Sequence, residues 1–141
     1  MKRHGLFTLG QGFMFAVATT LGACGGPQTM TAHGTEVAPA TMADIRIGKT
    51  EGAQTVVVDA RHLAPPDRLG AGLSQYAVWI IPAGMEPILA GTLAYDREQR
   101  TGRLQATTPF EVFEVVVTAE GDGIARAPRG PVVLRKSSQE P

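Results

Sequence analysis

The 141-residue sequence predicts an all-β domain, either a sandwich or a barrel, built from about seven short strands. Runs rich in β-branched and aromatic residues recur through the later two thirds of the chain, with turn residues every 8 to 15 positions. Helical periodicity is weak there, and only residues 64–69 and the surroundings of Leu73 could form a helical turn. The predicted strands cover residues 44–48, 54–62, 75–81, 88–95, 103–108, 110–120 and 131–136.

Alternation along the strands predicts which side chains face the core. In the longest strand, residues 110–120, one face is apolar and the other is mixed, which is typical of an antiparallel sheet that packs on one side. The apolar face carries Phe113, Val115 and Val117. In strand 75–81, Tyr76 and Trp79 lie on opposite faces, and we expect Trp79 inside and Tyr76 near the edge. Residues 96–102 (DREQRTG) read as a charged turn.

Composition excludes several function classes. The chain has 13 Lys and Arg against 13 Asp and Glu, a formal net charge of zero, whereas a protein that tracks nucleic-acid phosphates needs a basic surface. One cysteine cannot close an intramolecular disulfide or build a cysteine-rich zinc site. These counts argue against a nucleic-acid partner and a cysteine-rich zinc site, and we also expect no other metal ion and no cofactor.

The first 23 residues have the pattern of a secretory signal peptide, a basic start followed by an uncharged apolar run from Leu6 to Ala23. The run ends in Leu21-Gly22-Ala23-Cys24, which resembles the lipobox of bacterial lipoproteins. The resemblance implies cleavage between Ala23 and Cys24 and lipidation of Cys24, whose thiol takes a diacylglycerol while its amine takes a further acyl chain, as in palmitate-labelled lipoproteins. More than one buried chain gives stable anchoring.

Two alternatives remain open for this segment. Cys24 could be an ordinary residue beside an Ala-type cleavage site, or the apolar run could stay as an uncleaved membrane helix. If Cys24 is lipidated, Gly25 stands where many Gram-negative bacteria place the Asp that retains lipoproteins in the inner membrane. We therefore expect a cell-envelope location, with the periplasmic face of the outer membrane favoured.

The rest of the chain divides into three parts. Residues 24–43 are predicted to be the lipidated cysteine and a flexible linker, because they are small, polar and interrupted by prolines and glycines. Residues 44–136 form the predicted β domain, and residues 137–141 a disordered tail.

Four segments together resemble the extracytoplasmic C-terminal domain of anti-sigma-K-type anti-sigma factors. These segments are Tyr76-Ala-Val-Trp-Ile-Ile-Pro82, Pro87-Ile-Leu-Ala-Gly91, Phe113-Glu-Val-Val-Val-Thr-Ala-Glu120 and Pro128-Arg-Gly-Pro-Val-Val-Leu134. The resemblance implies an immunoglobulin-like antiparallel β-sandwich outside the cytoplasm. Anti-sigma factors of this type also carry a sigma-binding segment and a transmembrane helix before the domain. Here a signal sequence and a linker are predicted instead, so sigma-factor inhibition is not carried over.

The sequence offers one candidate binding loop and no catalytic constellation. A Ser74–His62–Asp67 group is formally possible, but it lacks the G-x-S-x-G elbow, so we expect no enzyme activity. Residues 61–68 form the most distinctive loop, because two prolines stiffen it and charges surround them. The possible partner-binding residues are Arg61, His62, Pro65, Pro66, Asp67 and Arg68. A simple crossover between sheets is the alternative for this loop.

We expect from these features a lipid-anchored envelope protein that displays a β-sandwich as a structural or protein-interaction module. The alternative is an extracytoplasmic sensor or regulatory domain, similar to that of anti-sigma factors, which binds a ligand or an envelope partner.

Overall fold

Two antiparallel sheets pack face to face in the computed structural model, which describes residues 25–123 and 126–140. Within these residues, nine strands occur and no α-helix. The strands are β1 (Gln28–His33), β2 (Met42–Thr50), β3 (Ala53–Arg61), β4 (Leu73–Pro82), β5 (Ile88–Thr92), β6 (Ala94–Asp96), β7 (Thr101–Thr108), β8 (Phe113–Gly121) and β9 (Val132–Ser137). The first sheet has the order β1-β2-β3-β7-β6 and the second β5-β4-β8-β9. The predicted fold class, an antiparallel β-sandwich, is confirmed.

The core lies between the two sheets and follows from alternation along the strands. In β2 and β3 every second residue is buried, which places Ile45 and Val58 in the core and leaves the charged residues between them on the outer face. The second sheet contributes Phe113, Val115 and Val117 from β8, as the sequence predicts. Burial of this apolar surface from both sheets is the main term that stabilises the sandwich.

The flexible linker predicted for residues 24–43 is wrong over most of its length. Gln28–His33 form β1, which pairs with β2 along its whole length, and the side chains of Met30 and Ala32 are buried in the core. The following turn is held by the Thr35 hydroxyl, which donates to the carbonyl oxygen of Val132 at 2.6 Å. A segment of small polar residues can form a strand when alternate positions are apolar and a neighbouring strand supplies the backbone partners. The sandwich therefore begins at Gln28, and not at Asp44.

The single strand predicted for residues 88–95 is two strands in two different sheets. β5 pairs with β4 in the second sheet, whereas β6 pairs with β7 in the first. The chain changes sheets at Leu93, which is buried and donates its backbone N–H to the carbonyl oxygen of Tyr76 at 2.9 Å. Together with β1, this division raises the number of strands from about seven to nine.

The expected position of Tyr76 within β4 is wrong, whereas Trp79 is buried as expected but not in the core between the sheets. Tyr76 is fully buried in the core between the sheets, not near the edge. Trp79 is fully buried too, but on the opposite face of the second sheet, beside Ala77 and Val116. Alternation separates the two faces of a strand correctly but does not say which face meets the other sheet.

Residues 137–140, the part of the predicted 137–141 tail that the structure describes, are not disordered. β9 extends to Ser137, and Ser138 is buried. The backbone N–H of Phe113 donates to the Ser138 hydroxyl oxygen at 3.0 Å, and the Ser138 N–H donates to the Phe113 carbonyl oxygen at 2.8 Å. These two hydrogen bonds fix Ser138 to the first residue of β8.

Glu120 connects the outer face of the second sheet to the loop before β9. Trp79 Nε1 donates to Thr118 Oγ1 at 2.8 Å, and the Thr118 hydroxyl donates to Glu120 Oε1 at 2.6 Å. The same carboxylate oxygen accepts the backbone N–H groups of Arg129 and Gly130 at 3.0 and 3.1 Å. The loop passes so close to β8 that a Cβ on Gly130 would lie 1.6 Å from the Ala119 carbonyl oxygen, which explains the glycine.

The Glu120→Ala substitution is expected to lower the free energy of unfolding by about 3 kcal/mol, because it leaves two backbone N–H groups and a buried hydroxyl without their acceptor. Glu120→Gln keeps one side-chain oxygen, and we expect a loss of about 1 kcal/mol. Equilibrium unfolding in urea measures both values. The control is Glu111→Ala at an exposed position, with an expected change within about 0.5 kcal/mol. Equal unfolding midpoints for Glu120→Ala and this control would contradict the role of Glu120.

Candidate functional site

The candidate binding loop lies at the end of the sandwich that is opposite to the start of β1. We call the end where β1, β3, β5 and β8 begin the N-terminal end, and the opposite end the distal end. β3 finishes at Arg61 on the distal end, and the chain then runs through residues 62–72 before β4 begins. The turns at residues 97–100 and 34–41 belong to the same end.

A short 3₁₀ turn shapes the middle of this loop. The turn spans Pro66–Arg68, and Pro65 precedes it in an extended conformation. The N–H of Arg68 donates to the carbonyl oxygen of Pro65 at 2.9 Å, and the N–H of Leu69 donates to that of Pro66 at 2.9 Å. The prolines set the backbone for the start of the turn and remove no hydrogen bond, because the first N–H groups of a helical turn have no partner. The helical turn that the sequence allows at residues 64–69 is confirmed.

Leu63 fixes the loop to the body of the domain. Its side chain is fully buried, and its N–H donates to the carbonyl oxygen of Arg100 at 2.9 Å. Its own carbonyl oxygen accepts the Tyr95 hydroxyl at 3.2 Å and Arg100 Nε at 3.3 Å. His62 and Arg100 both have a φ of 56°, a left-handed backbone that is uncommon for residues other than glycine. The loop is therefore held by specific contacts, although four of the eight residues from 61 to 68 are exposed.

Two tyrosines support the loop from below. The Tyr76 hydroxyl donates to the Ala64 carbonyl oxygen at 2.5 Å, and the rings of Tyr76 and Tyr95 meet edge to face with their centroids 5.4 Å apart. Burial raises the pKa of Tyr76 to about 12. Burial also raises the pKa of Tyr95. Both phenols are thus neutral hydrogen-bond donors at any physiological pH, and they give the loop a rigid base.

Exposed charges on the loop are paired with neighbouring strands and turns. Asp67 forms an ion pair with Arg97 at 3.1 Å, and the hydrogen bond from Arg97 lowers the pKa of Asp67. Arg61 forms an ion pair with Asp44 of β2 at 3.0 Å. Each of these side chains remains substantially exposed, so water screens the pairs and they contribute little to stability. Their effect is to hold charged groups in defined positions on the surface.

The six residues that the sequence selects do not all share one surface. Arg61, His62, Asp67 and Arg68 are exposed, whereas Pro65 is half-buried and Pro66 is buried. Pro66 therefore shapes the turn from inside and is not available for contact, which corrects its assignment. Ala23 and Cys24, the predicted cleavage and lipidation residues, lie outside the described residues.

Five residues of this site are missed by sequence reasoning. Leu63, Tyr76, Tyr95 and Arg100 hold the loop in place, and Arg97 adds a charge to its surface. Arg97 and Arg100 belong to the charged turn that reads as purely solvated in the sequence. Their contacts cross from one loop to another, and nothing in the local sequence indicates such a contact.

The chemistry that this arrangement supports is recognition by charge and hydrogen bonding. The Ser74 hydroxyl donates to Asp122 Oδ1 at 2.6 Å, and no hydrogen bond between Ser74 and His62 is found in the described structure. In the described ranges, no group of three or more His, Cys, Asp or Glu side chains could hold a metal ion. Across residues 25–123 and 126–140 there is also no helix long and apolar enough to cross a membrane.

Comparisons of the chain with protein-family models, curated proteins and solved structures gave no match.

An ultraviolet absorbance titration is expected to show that neither of the two tyrosines of the chain ionises at its ordinary pKa of 10.0 in the folded protein. Burial raises the pKa of Tyr76 to about 12, so this residue stabilises the fold fully below pH 10.0, and its contribution is lost as the pH rises towards 12. Tyr76→Phe should remove the later-titrating phenolate signal and lower stability by about 1 kcal/mol, because the Ala64 carbonyl loses its donor. A phenol that titrates near 10.0 in the folded protein would contradict this arrangement.

Proposed function

We propose that the protein is a lipid-anchored component of the bacterial cell envelope, which displays its β-sandwich as a structural and protein-interaction module without catalytic activity. The observation that carries the proposal is Leu21-Gly22-Ala23-Cys24 at the end of an uncharged segment that follows Lys2 and Arg3. Small residues before the cysteine suit the approach of a signal peptidase, and the thiol is the group that takes the lipid.

The position of Cys24 in the chain supports an anchoring role. Only Gly25, Gly26 and Pro27 separate it from β1, and all three are exposed. A Cβ on Gly25 or Gly26 would meet no atom within 4 Å, so the backbone beside Cys24 is open to approach by a processing enzyme. Gly25 after the cysteine favours the periplasmic face of the outer membrane.

The direction of the strands places the candidate loop at the end of the sandwich that is farther from the anchor. β3 has nine residues and runs from the N-terminal end to Arg61, so the candidate loop lies about 30 Å beyond the anchored end. The surface of the loop carries charges of both signs, held by Tyr76 and Leu63 beneath it. A fixed array of this kind suits a protein partner with complementary charges, because the loop loses little conformational entropy when the partner binds.

A regulatory role is the second candidate, and one observation favours it. The four segments that resemble the extracytoplasmic domain of anti-sigma-K-type factors contribute β4, β5, β8 and β9, which together make up the second sheet. Segments that are separate in sequence thus belong to one structural unit, as expected if the resemblance reflects a shared module. Under this candidate, the domain binds a ligand or an envelope protein and modulates a signal.

Replacement of Cys24 tests the anchor. Cys24→Ala should abolish incorporation of palmitate and move the protein from the membrane fraction to the soluble fraction, because the acyl chains are lost. Gly26→Ala is the matched control, since it changes a nearby exposed residue without adding a contact, and it should stay acylated and membrane-bound. Unchanged palmitate labelling of Cys24→Ala would overturn the proposal.

Site-specific photo-crosslinking in intact cells tests the interaction surface. A crosslinker in place of Arg68 should give a discrete larger species, which mass spectrometry then identifies. The control position is Gln105, exposed on the outer face of the first sheet and away from the candidate loop. Adducts of the same size and yield from both positions would argue against the distal end as the binding surface.

A further inference from the structure

The N-terminal end of the sandwich is composed of the segments that connect one set of strand ends. Residues 51–52 join β2 to β3, residues 83–87 join β4 to β5, and residues 109–112 join β7 to β8. The register places these turns beside the start of β1, since Gln28 pairs opposite Ile47. Residues 138–140 follow β9 at the same end.

The chain between Cys24 and the sandwich is too short to hold the domain away from a membrane. Four Cα–Cα steps separate Cys24 from Gln28, and they span at most about 14 Å when fully extended. The polar headgroup layer on each side of a bilayer is about 5 to 8 Å thick. A lipid on Cys24 therefore brings the N-terminal end to the headgroup region, and this step rests on the proposed lipidation.

Exposed apolar side chains are concentrated at this end. Of the four large hydrophobic residues that are exposed in the described part of the chain, three lie here: Met85 is 52%, Ile88 42% and Val112 47% exposed. Met85 and Val112 line the same cleft, together with the apolar residues Ile81 and Phe113. Exposed apolar side chains that lie together on adjoining turns make unfavourable contact with water unless another surface covers them.

We propose that the N-terminal end rests in the interface of the lipid bilayer, where Met85, Ile88 and Val112 enter the layer between headgroups and acyl chains. The anchor brings this surface to the bilayer, so the bilayer is the occupant that the chain itself supplies. The domain then stands upright on the membrane, and the candidate loop points away from it.

The charges at this end specify the kind of lipid surface. The turns of the N-terminal end and the residues after β9 carry the carboxylates of Glu51, Glu86, Glu111 and Glu140. The cations Lys49 and Lys136 are next to last in β2 and β9. Carboxylates repel a surface rich in anionic lipid. The contact is therefore strongest with zwitterionic headgroups, and it weakens as the fraction of anionic lipid rises.

A fluorescent probe placed at these turns tests the proposal in the full protein. The precursor is produced in bacteria, and the processed form is purified from membranes and reconstituted into vesicles of phosphatidylethanolamine and phosphatidylcholine. Cysteines are introduced singly by Met85→Cys and Val112→Cys, with Glu98→Cys at the exposed distal turn as the control. The lipid occupies the Cys24 thiol, so the introduced cysteine alone reacts with the probe.

Lipids that carry a nitroxide near the headgroup should quench the probe at positions 85 and 112, with a shift of its emission to shorter wavelength, and should leave the probe at position 98 unchanged. Replacing part of the phosphatidylcholine by phosphatidylglycerol should reduce the quenching at positions 85 and 112. Circular dichroism of each variant confirms that the sandwich is folded.

Three results would overturn the inference, and they distinguish a failure of the membrane contact from a failure of the proposed lipid anchor. Equal exposure to water at positions 85, 112 and 98, in protein whose mass shows the lipid on Cys24, overturns the inference and leaves the proposed anchor intact. Protection from a water-soluble quencher without quenching by the lipid nitroxide shows that a protein, including a second copy of this chain, covers the end instead. A mass without acyl chains overturns the proposed function, and the inference with it.

Discussion

The pairing of β4 with β8 is the interaction on which the rest of the structure depends. The residues of β4 from Tyr76 to Ile80 are all buried, so this strand is covered on both faces, and its register with β8 extends from Leu73 to Pro82. Tyr76 points from β4 to the candidate loop, and Trp79 points from the other face to Thr118 and, through it, to Glu120. A shift of one residue in this register would exchange the two faces and disconnect both networks.

The rigidity of the distal loop follows from that register. Tyr76 is held in place by β4, and its hydroxyl holds the Ala64 carbonyl, while Leu63 accepts hydrogen bonds from Tyr95 and Arg100. Most of the interactions that order the loop are made by its backbone, which leaves the side chains of Arg61, Asp67 and Arg68 for the surface. Loops held in this way lose little conformational freedom on binding, which is the physical advantage of presenting a contact surface on a sandwich.

The strand at residues 28–33 changes how an anchor at Cys24 would act. A linker of about 20 residues would let the domain move freely above the membrane, whereas a spacer of three residues couples the orientation of the sandwich to the bilayer. The apolar turns at the N-terminal end and the charged loop at the distal end then have separate environments. This division depends on β1 pairing with β2, because that pairing sets which end of the sandwich adjoins Cys24.

The sequence by itself determined the all-β class, the apolar face of β8 and the helical turn near Pro66. It also predicted a charged turn within residues 96–102, which the structure places at residues 97–100. Each of these rests on local alternation or on residues that favour turns. It also located the candidate loop, although not the residues that hold it. Only the tertiary structure decided that Tyr76 faces the core, that Leu93 carries the chain between sheets, that Pro66 is buried and that Ser138 is fixed to Phe113. The physical reason is that alternation distinguishes the two faces of a strand but does not identify what covers each face. The covering side chains come from residues distant in the chain, and so does the backbone that pairs with a weakly apolar segment such as β1.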